Sequence, residues 1–484
     1  MRNRSKSGLT RADGSAKWQE VNTPQLPVMK KSIAILPAIV FCFSALLPDA
    51  LAQSGALDLS FNPGTGVASG IVRSICMQTN GSILIGGYFS SVNGVSRNNI
   101  ARLNSDGGLD SSFFPGQGPG GDVLTMAVQT NGMVVIGGAF DGVNGILRRY
   151  VARLRSDGSL DLGFSASVDG QVEALVVQLD GKIVIGGRFT LVNATPRNRI
   201  ARLNSDGSLD GDFDPGTGAN DFVQALAIQT NGAILVGGSF STMNNSNRSR
   251  HARLNPNGSL DTGFDAGLVG GSFVSRLEIK SDGKAVIAGL FSSINGYSRQ
   301  GVAQILTNGI VDASFAPQGF GANADGIRAL AVQPDGKVIV GGTFFDENGP
   351  GGAVRLNADG NIDTAFISRV NLSVFSLAVQ PDAKVLIGGD FFTVNGTNMG
   401  RIARLRGDGS PLVGLQFLAP NKYFGAYLSG TVSNTYRVEW TTNLNTPSLW
   451  TPLTNVTLQT SPQFILDPTP IGGRQRHYRA VALP

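Results

Sequence analysis

An all-β fold, namely a seven-bladed β-propeller closed by its own N-terminal strand and followed by a small β-sandwich-like domain, is predicted by three features of the sequence. A Gly-Gly-x-Phe block recurs at residues 86–89, 137–140, 186–189, 237–240, 341–344 and 388–391, with a degenerate copy at 288–291 where Ala288 replaces the first glycine. A period of about 50 residues kept over a whole array marks a repeat architecture. Each repeat holds paired apolar runs joined by turn residues, and no helical period interrupts them. The two ends of the array are also complementary: one has a strand to spare and the other lacks it.

Before the array stands a leader, residues 1–52. Met29-Lys30-Lys31, an apolar run over 33–47 and Ala50-Leu51-Ala52 give the n-region, h-region and small-residue cleavage site of a secretory signal. The run is short for a membrane span, so no stable span is expected once the signal is cleaved. Met29 is a candidate for the true start.

The array occupies residues 53–411, and its cleanest copy is 172–213. Four strands are predicted there: a (172–178), b (182–187), c (199–204) and d (209–213). Strands a and b are apolar on both faces, as expected of sheets covered on both sides. The a–b link is Asp180-Gly181, and Asn80-Gly81, Asn131-Gly132 and Asn231-Gly232 elsewhere. These are hairpin turns in which both residues tolerate positive φ. His251 takes the strand position held by Ile100, Ile200 and Ile402.

The c–d turn fixes a register. A two-residue Asp206-Gly207 loop would set Leu203 against Asp210. A three-residue loop with Gly207 in the left-handed region sets Leu203 against Leu209 and Arg202 against Asp210, and is preferred. The same cation–anion pairing is open to Arg102/Asp110, Arg153/Asp161, Arg253/Asp261 and Arg355/Asp363, while the fifth repeat has Gln304 opposite Asp312. The array opens with an isolated strand d, residues 56–61, and ends after a strand c at Arg404-Leu405. Closure of the ring by residues 56–61, with Asp58 facing Arg404, removes the open edge.

Several motifs recur in this order over residues 56–410. They are Gln-x-Asp-Gly-Lys (333–337), Gly-Gly-x-Phe (341–344), Val-Asn-Gly (92–94), Ala-Arg-Leu-Asn-x-Asp-Gly-Ser-Leu-Asp (201–210) and Ser-Phe (112–113). Together they resemble the bacterial delta-sixty repeat family. The resemblance implies a secreted or surface β-propeller and no settled activity. Ala288, Gln304 and Pro411 depart from the pattern.

From 412 to 484 the repeat stops. Tyr436–Trp440 alternates like a half-buried strand, and short strands are predicted at 450–453, 456–458, 463–466 and 478–483. Trp440 and Trp450 fit core packing, with an aromatic platform for sugar as the other reading.

Composition narrows the function. The chain has 39 Lys and Arg against 34 Asp and Glu, but seven of those bases and three of the acids lie in the leader. The remainder is near neutral, so nucleic acid is not an expected partner. With Cys42 in the leader, one thiol, Cys76, remains, and two histidines are too few for a His-based zinc site. No cofactor and no metal are expected: the Asp-Gly turns at 106, 157 and 206 are too sparse in oxygens for a calcium loop. No Gly-x-Ser-x-Gly elbow or phosphate loop occurs.

The candidate ligand mouth is formed by Asp122, Asp169, Asp221 and Asp325, each just before a strand a and suited to a cation or a hydroxyl-rich ligand, against an Asx-turn role. Arg97, Arg148, Arg197, Arg248 and Arg299 recur after the loop asparagine and are assigned to structural hydrogen bonds rather than to a ring around an anion. The reading is a monomeric, secreted or cell-surface binding or scaffold module (the periplasm is the alternative location) with a protein or glycan ligand. The alternative is an enzyme acting on polysaccharide, and its carboxylates would come from the acids most out of pattern: Glu173, Glu278, Asp346 and Glu347.

Overall fold

A computed structural model describes residues 54–264, 267–317, 326–346, 349–366 and 368–407, and six strands between 412 and 482. The leader lies outside the described residues. All regular elements described are strands. In the array they group into seven antiparallel blades of sheet order a–b–c. Their strands a are Gly70–Met77, Asp122–Val128, Val172–Val177, Val223–Ile228, Val269–Ile279, Ile327–Val332 and Val374–Val379, for blades 1 to 7.

Blade 3 shows the local chemistry. Strand a (Val172–Val177) pairs with b (Ile183–Gly187), and b with c (Ile200–Leu203). Leu203 bridges Leu209, and the Asp210 amide donates to the Arg202 carbonyl at 2.9 Å. Gly207 has φ +90°, and Arg202 Nε donates to Asp210 Oδ2 at 2.6 Å. The predicted c–d register is therefore present. Strand d is shorter than predicted, a single bridge: the Asp212 amide donates to Asp210 Oδ1 and the Phe213 amide to the Asp210 carbonyl, so the chain turns at once.

The a–b turn differs from expectation. Only its glycine takes positive φ (Gly181, +83°), and the Gln178 amide donates to the Lys182 carbonyl, so this too is a three-residue loop. The Asp180 carboxylate accepts from the Lys182 amide and replaces the second left-handed residue. Turns with two consecutive positive φ values do occur, at Asn93-Gly94 and its equivalents in the b–c connection.

Blades join through the Gly-Gly pair. A Cβ on Gly186 would lie 2.5 Å from Val223 Cγ1 of blade 4, and one on Gly187 would lie 2.0 Å from the Gln171 carbonyl of its own blade. The first glycine thus admits the neighbouring blade and the second admits strand a. A Cβ on Gly388 would lie 2.6 Å from Val72 Cγ1, which sets blade 7 against blade 1. Leu57 bridges Leu405, and Arg404 Nε donates to Asp58 Oδ2 at 2.8 Å. The ring is closed by the N-terminal strand, as the sequence predicts.

The strand-c arginine links blades as well as strands. Arg202 lies 4.8 Å from the centroid of the Phe213 ring and donates to the Pro256 carbonyl of blade 4 at 2.6 Å. Arg404 stacks likewise on Phe61 and donates to the Ser105 carbonyl of blade 1. Blade 5, which has Gln304 instead, exchanges donor and acceptor: Lys280 stands where other blades have Gln, and its Nζ donates to Gln304 Oε1 at 3.0 Å. Lys284 and Gln304 then both donate to Asp312.

Beyond the array lie two antiparallel sheets of three strands. One contains Leu412–Leu418, Tyr423–Ser429 and Gln463–Asp467, the other Thr435–Thr441, Thr451–Thr457 and His477–Ala482. Tyr436 and Val438 are buried against Leu453 and Val456. Trp450 lies outside the described residues.

Candidate functional site

Strand a is the inner edge of each blade, and successive strands a adjoin: the Ile75 amide of blade 1 donates to Ser376 Oγ of blade 7, and Ser275 Oγ of blade 5 to the Ile327 carbonyl of blade 6. Every a–b pair carries a β-bulge at the same place, at Arg73, Leu124, Glu173, Gln224, Ser275, Arg328 and Phe375, and blade 5 has two further register shifts near the start of its longer strand. The next residue pairs with the first glycine of the Gly-Gly block and is small, as in Ser74, Thr125, Ala174, Ala225, Ala329 and Ser376. Blade 5 breaks this rule on both sides of the pair, with Arg276 opposite Ala288. Two residues on, where other blades have Cys76, Ala127, Val176, Ala227, Ala331 and Ala378, blade 5 has Glu278. Alternate residues of a strand point the same way, so both charges face the axis.

The contacts of Arg276 fix its place. It donates to its own Ser275 carbonyl at 2.7 Å and to the Phe375 carbonyl of blade 7 at 3.3 Å. Its charge is also coupled to other charged groups: Arg328 and Arg73 of blades 6 and 1 disfavour it, and Glu173 of blade 3 and Glu278 of its own strand favour it. A side chain of blade 5 with partners on blades 1, 3, 6 and 7 lies on the propeller axis. Burial, then Arg328, pushes its pKa down to about 10. Burial pushes Glu278 up to about 7, with Arg276 opposing. Glu278 nonetheless meets solvent, so it is desolvated by walls around it rather than by a lid over it.

A cavity of about 370 Å³ opens at this end of the bore. Its polar lining comes from Glu278 and Lys280 of blade 5, Gln333 of blade 6 and Gln380 of blade 7, with Pro334 and Pro381 beside them. Four of the equivalent glutamines accept a long bond from the strand-c arginine, at 3.5 Å for Gln78, Gln129 and Gln178 and 3.4 Å for Gln333. The Gln380 side-chain oxygen is buried without a partner, in a residue only 7% exposed.

The aspartates predicted to form a mouth sit at the opposite ends of strands a, and the structure gives them different tasks. Asp122 pairs with Arg73 of blade 1 at 2.6 Å, and its other oxygen is buried without a partner. Burial raises its pKa, against Arg73. Asp169 accepts from the Thr190 and Leu191 amides and the Thr190 hydroxyl, and so caps a loop. Asp221 accepts from the neighbouring Phe222 amide, and Asp325 lies outside the described residues. The five recurring arginines each donate to the carbonyl of the preceding residue, as in Arg97 to Ser96 and Arg299 to Ser298.

Asp106, Asp157 and Asp206 hold the amide two residues on within their turns. Among the described residues no three His, Cys, Asp or Glu side chains converge as a metal site. Of the out-of-pattern acids, Glu173 forms an ion pair with Arg188 and Glu278 faces Arg276. Asp346 ends strand b of blade 6, and Glu347 lies outside the described residues. Reading acids by type singled out Glu278 but missed Arg276 and Lys280. Aligning the seven strands a position by position would have exposed all three.

A family model described as a domain of unknown function (DUF5122) beta-propeller matches residues 78–113, 129–164, 178–213, 229–264, 280–315, 333–366 and 380–411. The chain belongs to this family. No curated protein matches it. Solved structures with a similar fold include the WD40 beta propeller domain of Doa1, at 13% identity, 73% of this chain, 95% of that one and a TM-score of 0.46. Streptogramin B lyase aligns at 16% identity, 74% and 97% coverage and a TM-score of 0.46. The extracellular domain of the hybrid two-component system BT3049 from B. thetaiotaomicron aligns at 11% identity, 87% and 56% coverage and a TM-score of 0.42. At such identities these likenesses concern the fold alone.

Proposed function

We propose that this DUF5122 propeller is a secreted or cell-surface binding module whose ligand seats at the axial mouth beside Glu278. The leader at 29–52 supports secretion, and among the described residues no helix is long and apolar enough to cross a membrane. One observation carries the reading: at two strand-a positions that hold small or apolar residues in the other six blades, blade 5 has Arg276 and Glu278. A uniform scaffold has no need of such a break, because repeated residues do repeated structural work.

Binding is favoured over polysaccharide cleavage because Glu173, the other out-of-pattern carboxylate at the bore, is held in an ion pair with Arg188 and so is not a free partner for Glu278. A glycosidase pair needs one carboxylate kept protonated and another free as base or nucleophile across a cleft. The mouth of Asp122, Asp169, Asp221 and Asp325 remains the second proposed position, with Asp122 its best-placed member through the unpartnered oxygen.

A glycan array probed with the chain, with and without calcium, tests the reading alongside a reducing-end assay on the same glycans. Retention of a glycan without new reducing ends is the expected result. Release of reducing ends that Glu278→Ala abolishes would establish the enzyme instead.

A further inference from the structure

The binding reading above leaves the ligand's chemistry open, and the mouth itself narrows it. Glu278 and Lys280 of blade 5 bring one acid and one base to the same cavity, with Gln333 and Gln380 from the next two blades. An anion placed there faces the Glu278 carboxylate, and a cation faces Lys280. A hydroxyl group both donates and accepts, so it meets all of these without an opposed charge. Lys280 has one N–H committed to Gln304, and the ammonium has three. The Gln380 oxygen, in a side chain more than nine-tenths buried, has no donor. Such a group is costly when left unmade, about 1–3 kcal/mol.

Two residues before Glu278 on the same strand, about 7 Å of backbone away, Arg276 donates to the Phe375 carbonyl of blade 7. The volume of about 370 Å³ is at the small end of the range for ligand pockets, about 300–1,000 Å³. Pro334 and Pro381 supply apolar ring surface at the rim.

We infer that the mouth formed by Glu278, Lys280, Gln333 and Gln380 binds an uncharged, hydroxyl-rich ligand of monosaccharide size. Glu278 and Gln380 accept from its hydroxyls and Lys280 donates to them. This rests on the binding-module reading.

The repeat supplies variants that the fold tolerates elsewhere. Glu278→Ala restores the residue of Ala127, Ala227, Ala331 and Ala378, and Lys280→Gln restores the common glutamine. Calorimetric titration of the purified chain with neutral hexoses, pentoses and N-acetylhexosamines is set beside hexuronates, sugar phosphates and diamines. The melting temperature of each variant reports folding. Binding of a neutral sugar that falls at least tenfold in Glu278→Ala, with the fold intact, is expected. A neutral sugar bound equally by wild type, Glu278→Ala and Lys280→Gln overturns this site while the binding-module reading stands. Binding confined to charged ligands and lost in Glu278→Ala overturns the ligand class and keeps the site. Turnover of a sugar polymer without retention of any sugar overturns both.

Discussion

Glu278 and Asp312 belong to the same blade and titrate in opposite directions. Burial would raise Asp312, but hydrogen bonds from Ser314, Lys284 and Gln304 outweigh it and hold the carboxyl far below its usual range. Its stabilisation is present at any pH above the ordinary carboxylate value and is lost only in acid. Glu278 is raised from 4.5 to about 7, by burial first. The folded chain therefore keeps a proton that the unfolded chain releases, and stability declines as pH climbs from about 4.5 through 7. The charges around Glu278 are Arg276 on its own strand and Lys280 in the same cavity, with Arg328, Arg73 and Glu173 on the strands a of blades 6, 1 and 3 that couple to it through Arg276. Solvent at the mouth tempers the effect. Melting temperatures between pH 5 and 8 should fall for wild type and flatten for Glu278→Gln; an unchanged slope in the variant would show that Glu278 titrates like an ordinary exposed carboxyl.

A blade is an element with two closely packed faces, and the Gly-Gly block is where one face is tightest. A methyl on Gly186 meets Val223 Cγ1 at 2.5 Å and Leu226 Cδ1 at 3.3 Å. Valine has few rotamers with which to withdraw, so Gly186→Ala should cost about 1–3 kcal/mol, measured by urea denaturation. Pairing it with Val223→Ala should recover part of that loss, because contacting residues couple. Full additivity of the two would rule out the contact as the cause. This packing was legible in the sequence as a spacing, and so was the Arg202–Asp210 register, because each recurs in chain order. The bore was not legible. Its wall takes only a few residues from each repeat, and the bulge at Glu173 and its equivalents reverses which strand residues face inward. Alternation alone cannot follow that change of face, so Arg276 escaped a reading based on residue type. The a–b turns were recognised as turns, but their φ pattern was missed, since Asp180 supplies by its side chain what a second left-handed residue would have supplied.

At the scale of the whole ring, one strand decides whether seven blades form a closed body or an open array. Residues 56–61 are the only part of the last blade drawn from the start of the array, and Asp58, Arg404 and Phe61 reproduce there the buried trio that Asp210, Arg202 and Phe213 form inside blade 3. The flanking bonds, from the Asp58 amide to the Arg404 carbonyl and from the Arg406 amide to the Ala56 carbonyl, make Leu57 and Leu405 a non-hydrogen-bonded pair. In such pairs the Cα atoms stand about 4.5 Å apart, within the span of a disulfide, about 4.4–6.8 Å. Leu57→Cys with Leu405→Cys should therefore cross-link on mild oxidation. Closing so long a loop restricts the unfolded chain by about 6 kcal/mol, offset by the two leucine side chains removed from the core, about 2–5 kcal/mol each as the nearest alanine truncations cost. The expected readout is faster migration on a non-reducing denaturing gel and a higher melting temperature oxidised than reduced. If the two thiols stay free under conditions that oxidise an exposed control pair, the ends of the array are not neighbours in solution and the closed ring is wrong.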